Sequence, residues 1–197
     1  MRRTAGLLKR PAATRKGLPR LLVFTDPQRT ADPEAVARAL PRGAALVYRS
    51  FGAPKAEAVA ARLVAAAHAK GALVLIGADA ALARRVGADG VHLPERLAAR
   101  ARPLRAANPR WIVTAAAHSL AAVRRARAAG ADAAVVSAVF PSRSPSAGPP
   151  IGALRLAGIV RSAGLPVYAL GGVNDRTAAR LRRVGVAGLA AVEGFRT

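Results

Sequence analysis

The chain has 197 residues, of which 52% are hydrophobic and 4% aromatic, and its formal net charge is +22. This hydrophobic fraction excludes global disorder, and the length suits a single domain. The chain has no cysteine, which excludes disulfides, thiolate metal sites and cysteine nucleophiles and fits a reducing cytosol. It also lacks the run of about 18 apolar residues that a transmembrane helix needs. We therefore expect a cytoplasmic protein that does not enter the membrane.

The amino-terminal segment is strongly basic. Seven lysines and arginines lie among residues 1–20, and the apolar pair Leu7-Leu8 is too short for the core of a signal peptide. We predict that residues 1–19 are a disordered basic lead-in and that residues 20–197 form one domain.

The rest of the positive charge is almost entirely arginine standing beside alanine in helical segments, as in Arg84-Arg85 and Arg124-Arg125. Aromatic residues do not alternate with these charges, as they would on a surface that binds single-stranded nucleic acid. We interpret the arginines as a solvated exterior, spread over outer helices rather than lining one groove, and we expect no specific nucleic-acid partner. A polyanion-associated basic protein is the alternative interpretation.

From residue 21 onwards, short apolar runs alternate with amphipathic segments. Continuous apolar runs of this kind are typical of strands covered on both faces, and their alternation with helices predicts βαβ units and a parallel sheet. The predicted strands are Leu21–Thr25, Ala44–Tyr48, Ala72–Ile76, Gly90–Leu93, Trp111–Ala115, Ala133–Ser137, Pro166–Leu170 and Gly188–Val192. The predicted helices are 33–40, 54–70, 79–87, 96–107, 119–129, 153–163 and 175–184.

A weak internal repeat indicates how the sheet closes. The segments beginning at Arg85, Ala129 and Arg183 each place a glycine (Gly87, Gly130 and Gly185) where a helix ends and a strand follows. Glycine suits the left-handed conformation of such a helix terminus. Eight strands built from a reused unit favour a single closed (β/α)8 TIM barrel, with an open doubly wound sheet as the alternative. Because strand eight ends near Val192, the final helix should be short or missing. The outer face of strand eight would then be uncovered, or it would be covered by residues 1–18 or by the partner in a homodimer.

In such barrels the active site lies at the carboxyl ends of the strands, and phosphate often binds after strands seven and eight. Gly171 and Gly172 follow strand seven, and Gly194 follows strand eight. The backbone amides of these glycines are candidate phosphate donors, and the alternative is a tight turn without a ligand. The long loop after strand six adds Ser142, Arg143 and Ser144 to the candidates, unless it is simply a flexible surface loop.

Several motifs occur in a specific order. Their sequence and spacing together resemble the thiamine-phosphate synthase / thiazole tautomerase family from about residue 20 to the end of the chain. The segments that carry the resemblance are Leu22–Asp26, Val86–Leu93, His118–Leu120, Val139–Ser142 and Ala169–Asn174.

The resemblance implies a transferase of thiamine biosynthesis that joins a pyrimidine diphosphate to a thiazole phosphate, with Mg²⁺ holding the departing diphosphate. Family synthases place metal-binding carboxylates after strands three and four. Here Ala78 and Leu97 stand at those positions, and Asp79 and Glu95 are the nearby carboxylates. Asp79 and Glu95 are therefore the weak candidates for metal ligands.

Other family positions are altered as well. The family's Gln-x-Arg-x-Lys motif after strand two reads Val47–Phe51 here, so only Arg49 is retained. Pro145 stands at the lysine of the strand-six loop, and Glu193 stands at a phosphate-binding serine after strand eight. The tautomerase branch uses a histidine at the position occupied by Ala138.

Arg49 and His118 are the candidates for catalytic residues, because both follow strands at the expected mouth of the barrel. His118 has a second interpretation as a helix cap or structural residue. His92 lies inside strand four and is predicted to be a packed, hydrogen-bonded core residue.

Three functions remain open. The first is a divergent thiamine-phosphate synthase. The second is a binding protein that has lost the chemistry and holds a thiazole or thiamine phosphate as a carrier or regulator. The third is the polyanion-associated protein. The resemblance favours the first as the family, and the altered positions favour the second as the activity.

Overall fold

A computed structural model of the protein describes residues 17–142, 144 and 148–192. Two candidate phosphate-binding residues, Arg143 and Gly194, lie outside the described residues, as do residues 1–16 of the expected lead-in. The division of the chain at residue 19 therefore stays a prediction. Leu18 and Pro19 are both buried, so the packing of the barrel includes residues that we assigned to the lead-in.

Eight parallel strands close into a barrel in the order β1-β2-β3-β4-β5-β6-β7-β8, with β1 paired to β8. The predicted closed barrel is thus confirmed over the open sheet. Every strand lies within one or two residues of its predicted position. The strands are β1 Leu21–Phe24, β2 Ala45–Tyr48, β3 Leu73–Gly77, β4 Gly90–Leu93, β5 Ile112–Ala117, β6 Ala133–Val136, β7 Val167–Ala169 and β8 Gly188–Ala191.

A helix follows each of the first seven strands. The helices are α1 Pro33–Ala39, α2 Ala56–His68, α3 Ala80–Arg85, α4 Ala101–Ala107, α5 Leu120–Ala128, α6 Gly152–Ala163 and α7 Asp175–Ala178. A 3₁₀ turn, Glu95–Arg100, precedes α4, and another, Ala179–Leu181, follows α7. The helix predicted over 175–184 is therefore much shorter than expected. No helix in the described part of the chain is long and apolar enough to cross a membrane.

The strands bury both faces, which explains their continuous apolar sequences. Alternate residues point into the barrel, where Leu22, Val47 and Tyr168 pack together, while their neighbours pack against the helices. Tyr168 fills the space left by Gly188, since a Cβ at residue 188 would lie 2.5 Å from its ring. Its hydroxyl donates to the carbonyl of Pro19 and ties the chain entering β1 to β7.

The internal repeat has a structural basis. Gly87, Gly130 and Gly185 all adopt positive φ, at 67°, 83° and 84°, as predicted. In the first two copies, the aspartate two residues after the glycine accepts a backbone N–H from the neighbouring strand. Asp89 accepts the N–H of Val74 at 2.8 Å, and the corresponding Asp132 accepts the N–H of Val113 at 2.8 Å. These carboxylates stabilise the starts of neighbouring strands and lie at the opposite end of the barrel from the carboxyl termini of the strands.

Candidate active site

A cavity of about 840 Å³ opens at the carboxyl ends of the strands. Four residues that the sequence placed after strands at one mouth all line it, namely Arg49, His118, Ser142 and Gly171, and Gly77 at the end of β3 lines it as well. Ser144 also lines it, and its N–H donates to Oγ of Ser142 at 3.3 Å. The structure thus brings most of the described candidates together, while their roles stay predictions.

The carboxyl ends of β1 and β2 hold a carboxylate between two arginines. Oδ2 of Asp26 lies 3.0 Å from Nη2 of Arg49 and 3.2 Å from Nη2 of Arg29. Partial burial acts to raise the pKa of Asp26, but hydrogen bonds from Arg29 and from the N–H of Gln28 outweigh it and lower that pKa. Asp26 therefore stays ionised beside two cations.

Arg49 is held on several sides. Its Nε donates to the carbonyl of Thr25 at 2.7 Å, and its backbone N–H donates to Oγ1 of Thr25 at 3.0 Å. The guanidinium carbon lies 5.7 Å from the ring centroid of Phe24 and 5.5 Å from that of Phe51. A Cβ at residue 77 would lie 3.2 Å from Cγ of Arg49, so Gly77 leaves room for this side chain. Its position is therefore fixed before any ligand binds.

His92 forms part of the wall of the cavity, and its packing is as predicted. Nδ1 lies 2.9 Å from Oγ1 of buried Thr114, and the ring meets Phe24 edge-on at a centroid distance of 4.9 Å. Nε2 has no partner among the described residues. The side chain is 8% exposed, and burial, reinforced by the charge of Arg49, lowers its pKa to about 3. His92 is therefore neutral at physiological pH and offers one ring nitrogen to the cavity.

The two weak metal candidates do not converge. Oδ1 of Asp79 accepts the N–H of Leu82 at 2.8 Å and caps α3. Glu95 binds His118 and Arg125 and lines a separate surface groove rather than the barrel mouth. In the described part of the chain, no three His, Cys, Asp or Glu side chains cluster in a way that could hold a metal ion. The carboxylates present do not fit a Mg²⁺ site of the kind that the family resemblance implies.

Gly171 and Gly172 are required by close packing. A Cβ at residue 172 would lie 2.3 Å from the carbonyl oxygen of Pro141, and one at residue 171 would lie 2.9 Å from Cα of Ala138. Both residues also adopt positive φ, at 90° and 62°. The carbonyl of Gly171 accepts the N–H of Phe140 at 3.0 Å, whereas the N–H groups of both glycines donate to no acceptor among the described residues. The turn leaves these two amides available to a ligand.

The amino end of α7 is satisfied from within the protein. Oδ1 of Asn174 accepts the N–H groups of Arg176 at 2.9 Å and of Thr177 at 3.1 Å, and Oγ1 of Thr177 accepts the N–H of Asn174 at 2.9 Å. This reciprocal cap occupies the free N–H groups of Arg176 and Thr177 at the start of α7. Phosphate binding would therefore depend on the glycine amides and not on the start of α7.

The positive charge at the mouth of the barrel was not predicted from the sequence. Arg29, Arg96 and Arg100 line the cavity together with Arg49, and Asp79 is the one carboxylate among the described residues that line it. The prediction that arginines would not line one groove is wrong for Arg29, Arg96 and Arg100, whereas Arg49 was predicted at this mouth. Most other arginines lie on the outer helices, as predicted. Arg29 and Arg100 belong to no family motif, and Arg96 takes a variable position directly before the altered Leu97, so only the folded chain reveals that the three converge.

These features define a (β/α)8 barrel with a basic mouth at the carboxyl ends of its strands. The family model described as "Thiamine monophosphate synthase" matches residues 21–195. A thiamine-phosphate synthase from Anaeromyxobacter dehalogenans is 36% identical over 168 residues, which cover 83% of this chain and 75% of the relative. The chain belongs to the thiamine monophosphate synthase family, as the sequence motifs indicated.

Two further comparisons agree with this assignment. A putative thiamine-phosphate synthase 2 from Aquifex aeolicus is 36% identical over 63% of this chain, and the alignment spans 66% of that relative. In the solved structures, the thiamine phosphate pyrophosphorylase from Pyrococcus furiosus has a TM-score of 0.73 at 29% identity. That match covers 89% of this chain and 86% of the other. Similarity therefore extends through the barrel and its mouth.

Proposed function

We propose that this protein binds a phosphorylated thiazole or thiamine phosphate at the barrel mouth as part of thiamine biosynthesis. The observation that carries the proposal is the turn after β7, where the N–H groups of Gly171 and Gly172 have no acceptor among the described residues. Gly171 lines the basic cavity and Gly172 follows it in the same turn, and a phosphate oxygen is the natural acceptor for such amides. Ser142 and Ser144 line the same cavity and add hydroxyl donors. None of these contacts depends on the family positions that are altered here.

We further propose that the Mg²⁺-dependent joining reaction is strongly weakened, so that the protein acts chiefly as a carrier or regulator. Mg²⁺ at phosphoryl sites is usually held by one or two carboxylates together with substrate phosphates. Glu95 is engaged by His118 and Arg125, and Asp79 caps α3. Loss of comparable electrostatic help costs on the order of 10²–10³ in rate for each group removed.

A synthase with rearranged metal ligands is the second candidate. One observation favours it: Asp79 lines the cavity, and its Oδ2 has no partner among the described residues. A single carboxylate together with substrate oxygens would then have to hold the ion. This candidate predicts that turnover requires Asp79, whereas the carrier proposal predicts turnover near background with or without it.

A ligand series tests the binding proposal directly. Thiazole phosphate, thiamine phosphate and the unphosphorylated thiazole alcohol would be titrated into the full-length protein by calorimetry in the presence of EDTA. The phosphate esters should bind about tenfold or more tightly than the alcohol, because each charge-assisted hydrogen bond contributes about 1.5–3 kcal/mol. Equal affinity for the ester and the alcohol would show that no phosphate site exists at this mouth.

A further inference from the structure

His118 and Glu95 form a carboxylate–imidazole pair at the edge of the barrel mouth. Nδ1 of His118 lies 2.8 Å from Oε2 of Glu95, and the backbone N–H of His118 donates to the same oxygen at 3.1 Å. Partial burial acts to raise the pKa of Glu95, but hydrogen bonds from His118 outweigh it, so this carboxyl stays ionised at neutral pH. The carboxylate therefore places the ring proton of neutral His118 on Nδ1 and leaves a lone pair on Nε2.

The second ring nitrogen of His118 is accessible. The side chain is 56% exposed and lines both the mouth and the surface groove beside it, and Nε2 has no partner among the described residues. Nη2 of Arg125 donates to Oε1 of Glu95 at 2.8 Å and holds the carboxylate from its other side. The orientation of the imidazole is thus fixed before any ligand binds.

The surroundings of this imidazole are cationic. Arg96 and Arg100 belong to the 3₁₀ turn Glu95–Arg100, are exposed, and line the cavity together with His118. The turn follows β4 and His118 follows β5, and these two strands are paired in the barrel. Guanidinium groups bind phosphoryl oxygens through strong, charge-assisted hydrogen bonds. This side of the mouth therefore combines a possible nucleophile with charges that attract a phosphoryl group.

The other two histidines of the chain lack this combination. His92 is buried in the wall of the cavity, and burial lowers its pKa to about 3, so its free nitrogen is weakly basic. Nε2 of His68 lies 2.9 Å from Oδ2 of Asp89, at the opposite end of the barrel from the mouth. Only His118 has a carboxylate behind Nδ1, an accessible Nε2 and arginines in the same cavity.

From this arrangement we infer that Nε2 of His118 accepts a phosphoryl group from a small phosphoryl donor and forms a phosphohistidine. Nε2 attacks phosphorus while the bond to the leaving group breaks, and the leaving group takes the electron pair of that bond. The ring becomes an imidazolium whose Nδ1 proton remains bonded to the charge of Glu95. Water then attacks phosphorus, which releases inorganic phosphate and restores the neutral imidazole.

The leaving group limits the class of donor. Glu95 is ionised and accepts hydrogen bonds from His118 and Arg125, so it has no proton to give to a departing alkoxide. The donor should therefore release a neutral molecule or a stable anion, as phosphoramidates and acyl phosphates do. This reaction lies beyond the binding function proposed above and uses none of its glycine amides.

Incubation of the full-length protein with phosphoramidate in EDTA tests the phosphoryl transfer, because ammonia leaves this donor as a neutral molecule. Digestion and mass spectrometry at alkaline pH, where phosphohistidine is stable, should locate the added group on His118. The modification should be absent from His118→Gln. A folded wild-type protein that carries no phosphoryl group on His118 after this treatment would overturn the inference.

His68 is the matched control within the same chain. Its side chain is 43% exposed and is also paired with a carboxylate, but it does not line the mouth. His68 should stay unmodified, and His68→Gln should react at the wild-type rate. Equal phosphorylation of His68 and His118 would also contradict the inference, because it would indicate a general reaction of exposed imidazoles.

Glu95→Gln tests the role of the carboxylate as a positioning residue. The glutamine oxygen still accepts from Nδ1, so nitrogen NMR should find the ring proton of His118 on Nδ1 in both proteins. Phosphorylation should slow about tenfold or more, because the imidazolium loses its counter-charge while the ring keeps its place. An unchanged rate would show that Glu95 does not activate the ring.

A second pair of variants decides the matter if circular dichroism shows that Glu95→Gln is unfolded. Arg96→Gln removes a cation beside His118 and should slow phosphorylation. Arg84→Gln removes an exposed cation in the last turn of α3 and should react at the wild-type rate. Equal rates in these two variants would contradict a phosphoryl site on this side of the mouth.

Discussion

Glu95 accepts two hydrogen bonds from His118, one from Nδ1 at 2.8 Å and one from the backbone N–H at 3.1 Å. Its other carboxylate oxygen accepts Nη2 of Arg125 at 2.8 Å. A candidate metal ligand and a candidate catalytic histidine are thus bonded to each other and to a cation on α5. This arrangement stabilises the turn between β4 and α4 and engages both oxygens of Glu95. Nε2 of His118, which lines the cavity, has no partner among the described residues.

The first prediction concerns this contact and its dependence on pH. Burial acts to raise the pKa of Glu95, but the hydrogen bonds from His118, followed by that from Arg125, outweigh it and lower that pKa below 4.5. The contact therefore stabilises the fold above pH 4.5, and its contribution is lost as the pH falls through the lowered value. Glu95→Gln should lower the free energy of unfolding by about 1 kcal/mol at pH 7. Urea unfolding of both proteins at pH 7 and pH 3 checks this, and a difference that does not shrink at pH 3 would contradict it.

The second prediction concerns His92. Its pKa falls from 6.5 to about 3 in the folded protein because burial disfavours the charged ring. The unfolded chain therefore binds the proton first, and stability should decrease as the pH drops from about 6.5 towards 3, by at most ~1.4 kcal/mol per pH unit. In His92→Gln this part of the decrease should vanish. Proton NMR provides the direct measurement, and a His92 ring that titrates near pH 6.5 would refute the assignment.

The third prediction concerns the turn after β7. Gly172→Ala must fit a methyl group 2.3 Å from the carbonyl of Pro141 at a φ of 62°, which should lower the free energy of unfolding by about 1–3 kcal/mol. It should also weaken thiazole phosphate binding by displacing the amides. Gly148→Ala is the matched control, because no atom lies within 4 Å of the added Cβ. In chemical denaturation, Gly172→Ala should have a clearly lower free energy of unfolding than Gly148→Ala. Equal free energies of unfolding would argue against a packed glycine turn.

Much of the barrel could be predicted because the relevant signals are local. Each strand is buried on both faces and so is continuously apolar, and polar residues such as Ser119 and Asn174 begin helices by accepting the first free N–H groups. The last helix was predicted too long because an alanine- and arginine-rich sequence continues to residue 184. In the structure this pattern is interrupted after Ala178 by a 3₁₀ turn.

The site was less predictable because its contacts are distant in sequence. Asp26 and Arg49 are 23 positions apart and meet only because β1 and β2 are neighbours in the barrel. Arg29 and Arg100 lie outside the family motifs, and Arg96 takes a variable position directly before the altered Leu97. Their convergence on one cavity therefore follows from closure of the barrel. Altered family positions indicated which groups had been lost, whereas the arginines that converge on the mouth are visible only in the fold.

The most direct test of the account is a joining assay with pyrimidine diphosphate, thiazole phosphate and Mg²⁺, run on the wild type, Asp79→Ala and Glu95→Ala. We predict turnover near background in all three proteins, with thiazole phosphate still bound by the wild type, because neither carboxylate belongs to a metal site. Robust wild-type turnover that disappears in Asp79→Ala or Glu95→Ala would contradict the account and identify a synthase with rearranged metal ligands.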